Sequence, residues 1–408
     1  MKGAPATAFP DHMGARARCA AVLGLLLLAG GSALALLRAG AAAPAPGSGA
    51  GGSGAGDAAP QQAAPPAPRR ASPQRWARGA VADGADDAVF QSGTLPVDEN
   101  GLPVHAHEGQ LLAQDDGLLL WYGTGQKRQV EGGEWLSQSI HLYTTRDLVT
   151  WRDKGRVFQA TAIPTLSVPP PYRIERVAAL YSSDRRQFIL VFGLTSLDRS
   201  LSTVGYASSV SAFGPFRWEL EAPPDALPSR DVGVAQDGGS GAAYLVRTIS
   251  ANATAVSRMK PSLLGTAGVC SVVPRGGASA LFKSGGRWYM LVSSHKGWQP
   301  GRSRLFVASD PAAPCDCEWT QLRRVAEGAG ADTTFDSVPA AVYVHRWGDG
   351  SELPIYLGDR WNAAGEGGVA NASYVWLPMV RDAADPRALQ LTWLERWRLG
   401  DWKPPPPS

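Results

Sequence analysis

The sequence predicts an all-β chain, a five-bladed β-propeller preceded by an amino-terminal signal or anchor segment and a disordered linker. Three observations carry that expectation. Apolar and aromatic strand cores recur at intervals of 45 to 70 residues, each after a turn rich in Asp, Gly or Ser, as expected for propeller blades with variable loops. Helical periodicity is weak throughout. Gly (47), Pro (32) and Trp (14) are prominent while charged residues make up only 18%, a balance that suits turn-rich β structure carrying aromatic surfaces.

The strand cores are residues 118–122 (LLLWY), 188–192 (FILVF), 243–246 (AYLV), 288–292 (WYMLV) and 354–357 (PIYL). Around the fourth, Ala280-Leu281-Phe282, then Ser284-Gly285-Gly286, then residues 287–292 read as strand, turn and strand. Residues 143–151 end on Trp151, and degenerate versions of that pattern end on Trp218 and Trp319. These tryptophans are expected to seal gaps between blades. Residues 391–399 are expected to form the closing strand, and ring closure removes exposed sheet edges.

The chain divides into residues 1–38, a linker over 39–90, the propeller over 91–400 and a disordered tail over 401–408. Arg16 and Arg18 precede a nearly uninterrupted apolar run over 19–37. Its length lies between a signal-peptide core and a short membrane span, so a cleaved signal peptide and a retained signal anchor both stay open. Either places the rest of the chain in the secretory pathway, secreted or as a Golgi-type single-pass protein, with membrane contact only through an uncleaved segment. Residues 39–87 are Ala, Pro, Gly and Ser with little else and bury too little to fold. The sequons Asn252-Ala253-Thr254 and Asn371-Ala372-Ser373 are compatible with a lumenal domain. Cys270 has Cys315 and Cys317 as candidate partners, with free thiols the alternative.

With 39 basic and 36 acidic residues the net charge is +3, and nucleic acid is not an expected partner. The six histidines form no His-x-x-x-His pair, and Cys315-Asp316-Cys317 lacks the further ligands a zinc site needs, so no metal or other cofactor is expected.

Ala280-Leu281-Phe282-Lys283, followed by Gly286 and Trp288-Tyr289, resembles a segment of glycoside hydrolase family 43, particularly the relatives that attack β-1,3-galactan. Ser229-Arg230-Asp231-Val232, Ile174-Glu175-Arg176-Val177 and His105-Ala106-His107-Glu108-Gly109 resemble further motifs of that group. The resemblance spans about 97–399 and implies a five-bladed glycosidase-type propeller with a central pocket for an oligo- or polysaccharide. Inversion at a glycosidic bond needs a base to activate water and an acid to protonate the leaving oxygen. By resemblance Glu108 is the base, Asp231 tunes the acid, and Glu175 lies in the pocket. A rim carboxylate, a structural Arg-Asp pair and a surface Glu-Arg pair are the plain alternatives. His107, Arg230, Trp298, Asp359, Arg360, Trp361, Tyr374 and Trp376 are the expected sugar-binding residues, through aromatic faces and polar forks. An axial cation is allowed by the resemblance and not required.

Two positions depart from the family pattern. The general-acid Glu is replaced by Gly277, and no Asp or Glu occurs between Arg247 and Lys283 to take its place. The Gln that serves as an unusual base in the relatives is replaced by Val338. The sequence therefore implies a glycoside hydrolase homologue with catalysis impaired or lost, Glu175 being the acid if turnover persists. Restoring Glu at position 277 is expected to raise the rate. The alternative is a non-catalytic carbohydrate-binding propeller.

Overall fold

The computed structural model describes residues 85–403, so the predicted signal or anchor segment and nearly all of the predicted linker lie outside the described residues. Four sheets are four-stranded antiparallel meanders. The first comprises His107–Ala113, Leu119–Thr124, Ser139–Thr145 and Arg152–Gln159; the second Tyr172–Ser182, Gln187–Ser196, Ser202–Ser209 and Arg217–Ala222. The third comprises Arg230–Gln236, Ala243–Ser250, Ala253–Met259 and Thr266–Val273; the fourth Ala278–Ser284, Arg287–Ser293, Ser303–Ala308 and Trp319–Arg324. The fifth has three strands, Val338–Arg346, Glu352–Arg360 and Ser373–Pro378. The five apolar cores read from the sequence fall in the second strands of these sheets, where they are almost wholly buried.

Sheets of three or more strands number six among the described residues, not the five predicted. The sixth is small: Val380–Arg381 pairs with Leu389–Thr392, which runs parallel to Ala326–Glu327. It arises because the chain leaves the fifth sheet after Pro378 and pairs with itself and with the segment preceding that sheet. Leu389, Leu391 and Ala326 then pack with Leu291, Leu305 and Leu377 between the fourth and fifth sheets.

The first strands of the first five sheets lie side by side in a ring, the fifth returning to the first. Apolar faces of successive sheets close on one another as separate wedge-shaped cores. Leu120, Ile140, Leu190 and Phe192 fill the wedge between the first and second sheets, while Ile189, Val191, Leu245 and Val234 fill the next. Trp121, Trp151 and Trp376 meet between the first and fifth, with ring centroids 4.8 to 5.8 Å apart. Trp151 is 2% exposed and is therefore packing between sheets; truncating such a residue costs about 3 to 5 kcal/mol.

Closure differs from expectation. Arg396–Arg398 pairs with Val89–Gln91, where Phe90 stacks on Trp397 at 4.1 Å, and Leu389–Thr392 belongs to the sixth sheet. Gly93 N–H donates to the Tyr374 carbonyl and Tyr374 N–H to the Thr94 carbonyl, so the amino-terminal segment covers the open edge of the three-stranded fifth sheet. Among the described residues the turn Ala85–Asp87 precedes the predicted boundary at 91, and Gly400–Trp402, in the region of the predicted tail, forms a short 3-10 turn. Cys270 and Cys315 form a disulfide, leaving Cys317 as a half-buried thiol.

Candidate functional site

At one end of the ring a cavity of about 650 Å³ opens above the first strands. Three of those strands enter it through the same local device. In the first, second and third sheets the pairing register breaks near the start of the first strand, between His107 and Gln110, Glu175 and Ala178, and Arg230 and Gly233. At each break one non-glycine residue adopts left-handed backbone: Glu108 (φ 54°), Arg176 (φ 56°) and Asp231 (φ 49°). A bulge of this kind re-aims a side chain, at a cost of about 1 to 3 kcal/mol for each such backbone. Surrounding contacts offset that cost. Asp359 Oδ2 accepts the N–H of Glu108 at 2.8 Å while Asp359 Oδ1 lies 3.1 Å from His107 Nδ1.

Arg176 crosses the axis. Its guanidinium donates to the carbonyls of Val232, Ser279 and Pro339, one from the first strand of each remaining sheet after the first two. It floors the cavity and ties three sheets together. A metal ion does not fit there, because these carbonyls already accept N–H donors around a fixed cation. Among the described residues no cluster of three or more His, Cys, Asp or Glu is arranged to hold a metal.

The carboxylates sit in different company. Glu108 Oε2 accepts from Lys127 Nζ at 2.8 Å, the lysine buried and the glutamate largely so. The Lys127 ammonium also lies 5.4 Å from the Trp298 ring and 5.2 Å from the Trp361 ring, within cation–π range. Asp231 Oδ1 faces His295 Nε2 at 3.4 Å, so its partner is His295 and not the neighbouring Arg230. The N–H of Ala278 points to His295 Nδ1 at 3.3 Å, which leaves Nε2–H to face Asp231. Glu175 is pushed upward, first by burial and then by the negative charge of Glu108, against the lowering pull of Lys127 and Arg173. It accepts from Thr195 Oγ1 at 3.3 Å. A carboxyl held protonated can donate a proton.

The cavity thus brings together Glu108, Glu175, Arg230, Asp231, Trp298, Asp359 and Trp361. It does not include four residues expected to bind sugar. His107 is 1% exposed and stacks on Tyr374 at 4.6 Å; the Tyr374 hydroxyl is spent on the Ala106 N–H and the Val104 carbonyl. Trp376 packs between sheets, and Arg360 donates to the Phe335 carbonyl beside Trp393. His107 and Arg360 each sit next to a lining residue in sequence, but strand alternation turns them away, whereas Tyr374 and Trp376 lie on a strand that does not reach the cavity.

The fourth sheet contributes no acid to the cavity, and the fifth contributes Asp359, already engaged by the Glu108 N–H and His107. Gly277 has φ 141°, a conformation that side chains rarely adopt, and a Cβ built there would lie 1.8 Å from the Ser293 carbonyl oxygen. Its N–H and carbonyl are both tied to the Thr248 hydroxyl, at 3.1 and 2.9 Å. The expectation that a glutamate at 277 simply restores a donor is therefore corrected: the backbone has closed over the position. Val338 lines the cavity as a buried apolar residue.

Sequence reasoning missed Lys127, His295 as the partner of Asp231, and the axial role of Arg176. His295 stands three residues before Trp298 in a segment already singled out. Lys127 follows the second strand of the first sheet with no motif around it.

Several solved structures share this architecture. A GH43 β-1,3-galactosidase with galactodeoxynojirimycin superposes with a TM-score of 0.65 at 20% identity, covering 76% of this chain and 100% of its own. An exo-β-1,3-galactanase from Phanerochaete chrysosporium with β-1,3-galactotriose gives 0.64 at 22%, covering 76% and 68%. An exo-β-1,3-galactanase from Clostridium thermocellum gives 0.65 at 24%, covering 76% and 66%. The fold is that of the GH43 propellers. No family model and no curated protein sequence matches the chain. On this GH43-type scaffold the cavity lies where the first strands converge.

Proposed function

We propose that the cavity binds β-galactan-type saccharides and that hydrolysis there is impaired or lost. What supports binding is the pairing of aromatic faces, Trp298 and Trp361, with Arg230, Asp231 and Glu108 in one cavity large enough for a sugar residue. What supports impairment is a single observation, the backbone at Gly277 closed against the Ser293 carbonyl where the relatives' proton donor would stand. In residual turnover Glu108 acts as base, Asp231 as the tuning carboxylate and Glu175 as acid. Glu175 is held toward its protonated form by its surroundings.

Loss of a positioned general acid lowers the rate by about 100-fold to 10,000-fold. Calorimetry with β-1,3-galactotriose and an assay of released galactose test both parts. Binding with galactose release at least about 100-fold slower than an exo-β-1,3-galactanase agrees with the proposal. Hydrolysis at a comparable rate overturns the impairment. Absence of binding overturns the whole. Binding with no release at all favours the second reading, a carbohydrate-binding propeller without catalysis.

We also propose that the protein works in the secretory pathway. The Cys270–Cys315 disulfide and the exposed sequon asparagines Asn252 and Asn371 support this. Sequencing the mature amino terminus separates a cleaved signal peptide from a retained anchor.

A further inference from the structure

Most charges lining the cavity are matched; besides Glu175, whose partner is the Thr195 hydroxyl, two stand apart. Glu108 is paired with Lys127, Asp231 faces His295, and Asp359 holds the Glu108 N–H and faces His107. Of the arginines, Arg173 is paired with Glu134 and Arg176 is saturated by three carbonyls. Arg199 and Arg230 also line the cavity, both are exposed, and neither guanidinium has an acidic partner among the described residues.

Their acidic neighbours are engaged elsewhere. Asp198 Oδ1 accepts from Ser196 Oγ, from Ser200 Oγ at 2.8 Å and from Ser200 N–H at 3.1 Å, so it is folded into its own turn. That turn is rigidly built. Ser196 N–H donates to the Leu201 carbonyl and Leu201 N–H to Ser196 Oγ, Arg199 holds left-handed backbone at φ 61°, and Ser202 Oγ donates to the Ser229 carbonyl beside Arg230 at 2.8 Å. Two loops, from the second and third sheets, are thereby pinned together with an unneutralised guanidinium on each. The whole chain carries only +3, so this is a local feature of the cavity mouth.

Building on the saccharide-binding proposal, we propose that the mouth between Arg199 and Arg230 is a subsite for an anionic substituent, a carboxylate or sulfate carried by the bound saccharide. Guanidinium forks match both groups bidentately, and neither arginine must break an existing ion pair to bind. Galactose itself is neutral and offers a guanidinium hydroxyl groups but no charge to pair with.

Calorimetry on the intact chain with three probes tests this: β-1,3-galactobiose, its glucuronosyl derivative and its sulfated derivative, each at low salt and at higher salt. An acidic probe is expected to bind about 10-fold or more tightly than the neutral one, with the advantage shrinking as salt is added. A preference confined to the uronate or to the sulfate supports the subsite and identifies its anion. In Arg199→Gln and Arg230→Gln, whose exposed positions spare the fold, the acidic-to-neutral affinity ratio is expected to fall about 10-fold while thermal unfolding is unchanged. Equal binding of all three probes overturns the subsite and leaves the saccharide proposal standing. Binding of none overturns both.

Discussion

The first three sheets and the fourth treat the same position of the propeller in opposite ways. In the first three, a bulge with one left-handed, non-glycine residue opens each first strand at the cavity, and two of the three residues so placed are carboxylates. In the fourth, Ala278–Ser284 pairs with Arg287–Ser293 in unbroken register, and the corresponding place is glycine packed on a neighbouring carbonyl. A carboxylate on a strained bulge needs partners, and Glu108 has them in Asp359, Thr124 and Lys127. A glycine needs none and lets the strands approach. The difference teaches that position 277 is not a ready place for a side chain. The backbone has taken up the space, so a side chain there requires moving two strands.

The sharpest way to break that contrast is Gly277→Ala. With φ 141° and a carbonyl oxygen 1.8 Å from the new Cβ, the substitution is expected to cost at least about 4 kcal/mol in denaturant unfolding, as much as Gly277→Glu. A loss near zero shows that the strands part readily and that position 277 is open to a side chain after all. Next in size is Lys127→Met, which strands Glu108 in a largely buried setting. A loss of about 3 kcal/mol is expected, since breaking a buried pair leaves an uncompensated charge. Lys127→Met together with Glu108→Gln should recover part of it, and failure to do so places the value of Lys127 in its packing on Trp298 and Trp361.

The smallest expected effect concerns Glu175. Its folded-state pKa lies above the ordinary 4.5, so the folded protein holds that proton more tightly than the unfolded chain. The protein therefore loses stability as pH rises from about 4.5 through the folded value. Glu175→Gln lacks this loss and is expected to become the more stable form over that range, the gap widening with pH and closing below about 4. Parallel unfolding curves for the two proteins from pH 4 to 8 contradict the burial described for this carboxyl.

Legibility in the sequence followed the range of the forces involved. Strand cores such as 188–192 and 288–292 declare themselves because burial on both faces demands a continuous apolar run. Glu108, Glu175 and Asp231 were found because each stands within a short string of neighbours, and the cavity does gather them. The small sixth sheet was not foreseen, since Ala326–Glu327 and Leu389–Thr392 are brief and pair across a long sequence separation. His107 was expected at the sugar, yet a shift of one residue along a strand sends a side chain to the other face, and Tyr374 and Trp376 stand on a strand that contributes nothing to the cavity.

By itself the sequence determined the all-β class, the recurring strand and turn pattern, the absence of an acid between Arg247 and Lys283, and the grouping of candidate carboxylates, because composition and local pattern act through neighbours along the chain. The tertiary structure alone decided that Lys127 neutralises Glu108, that Arg176 occupies the axis, that Arg199 and Arg230 stand without acidic partners, and that the strands have closed at Gly277. Each of these depends on which atoms meet across strands far apart in sequence, and the energies of burial and charge are set by that company.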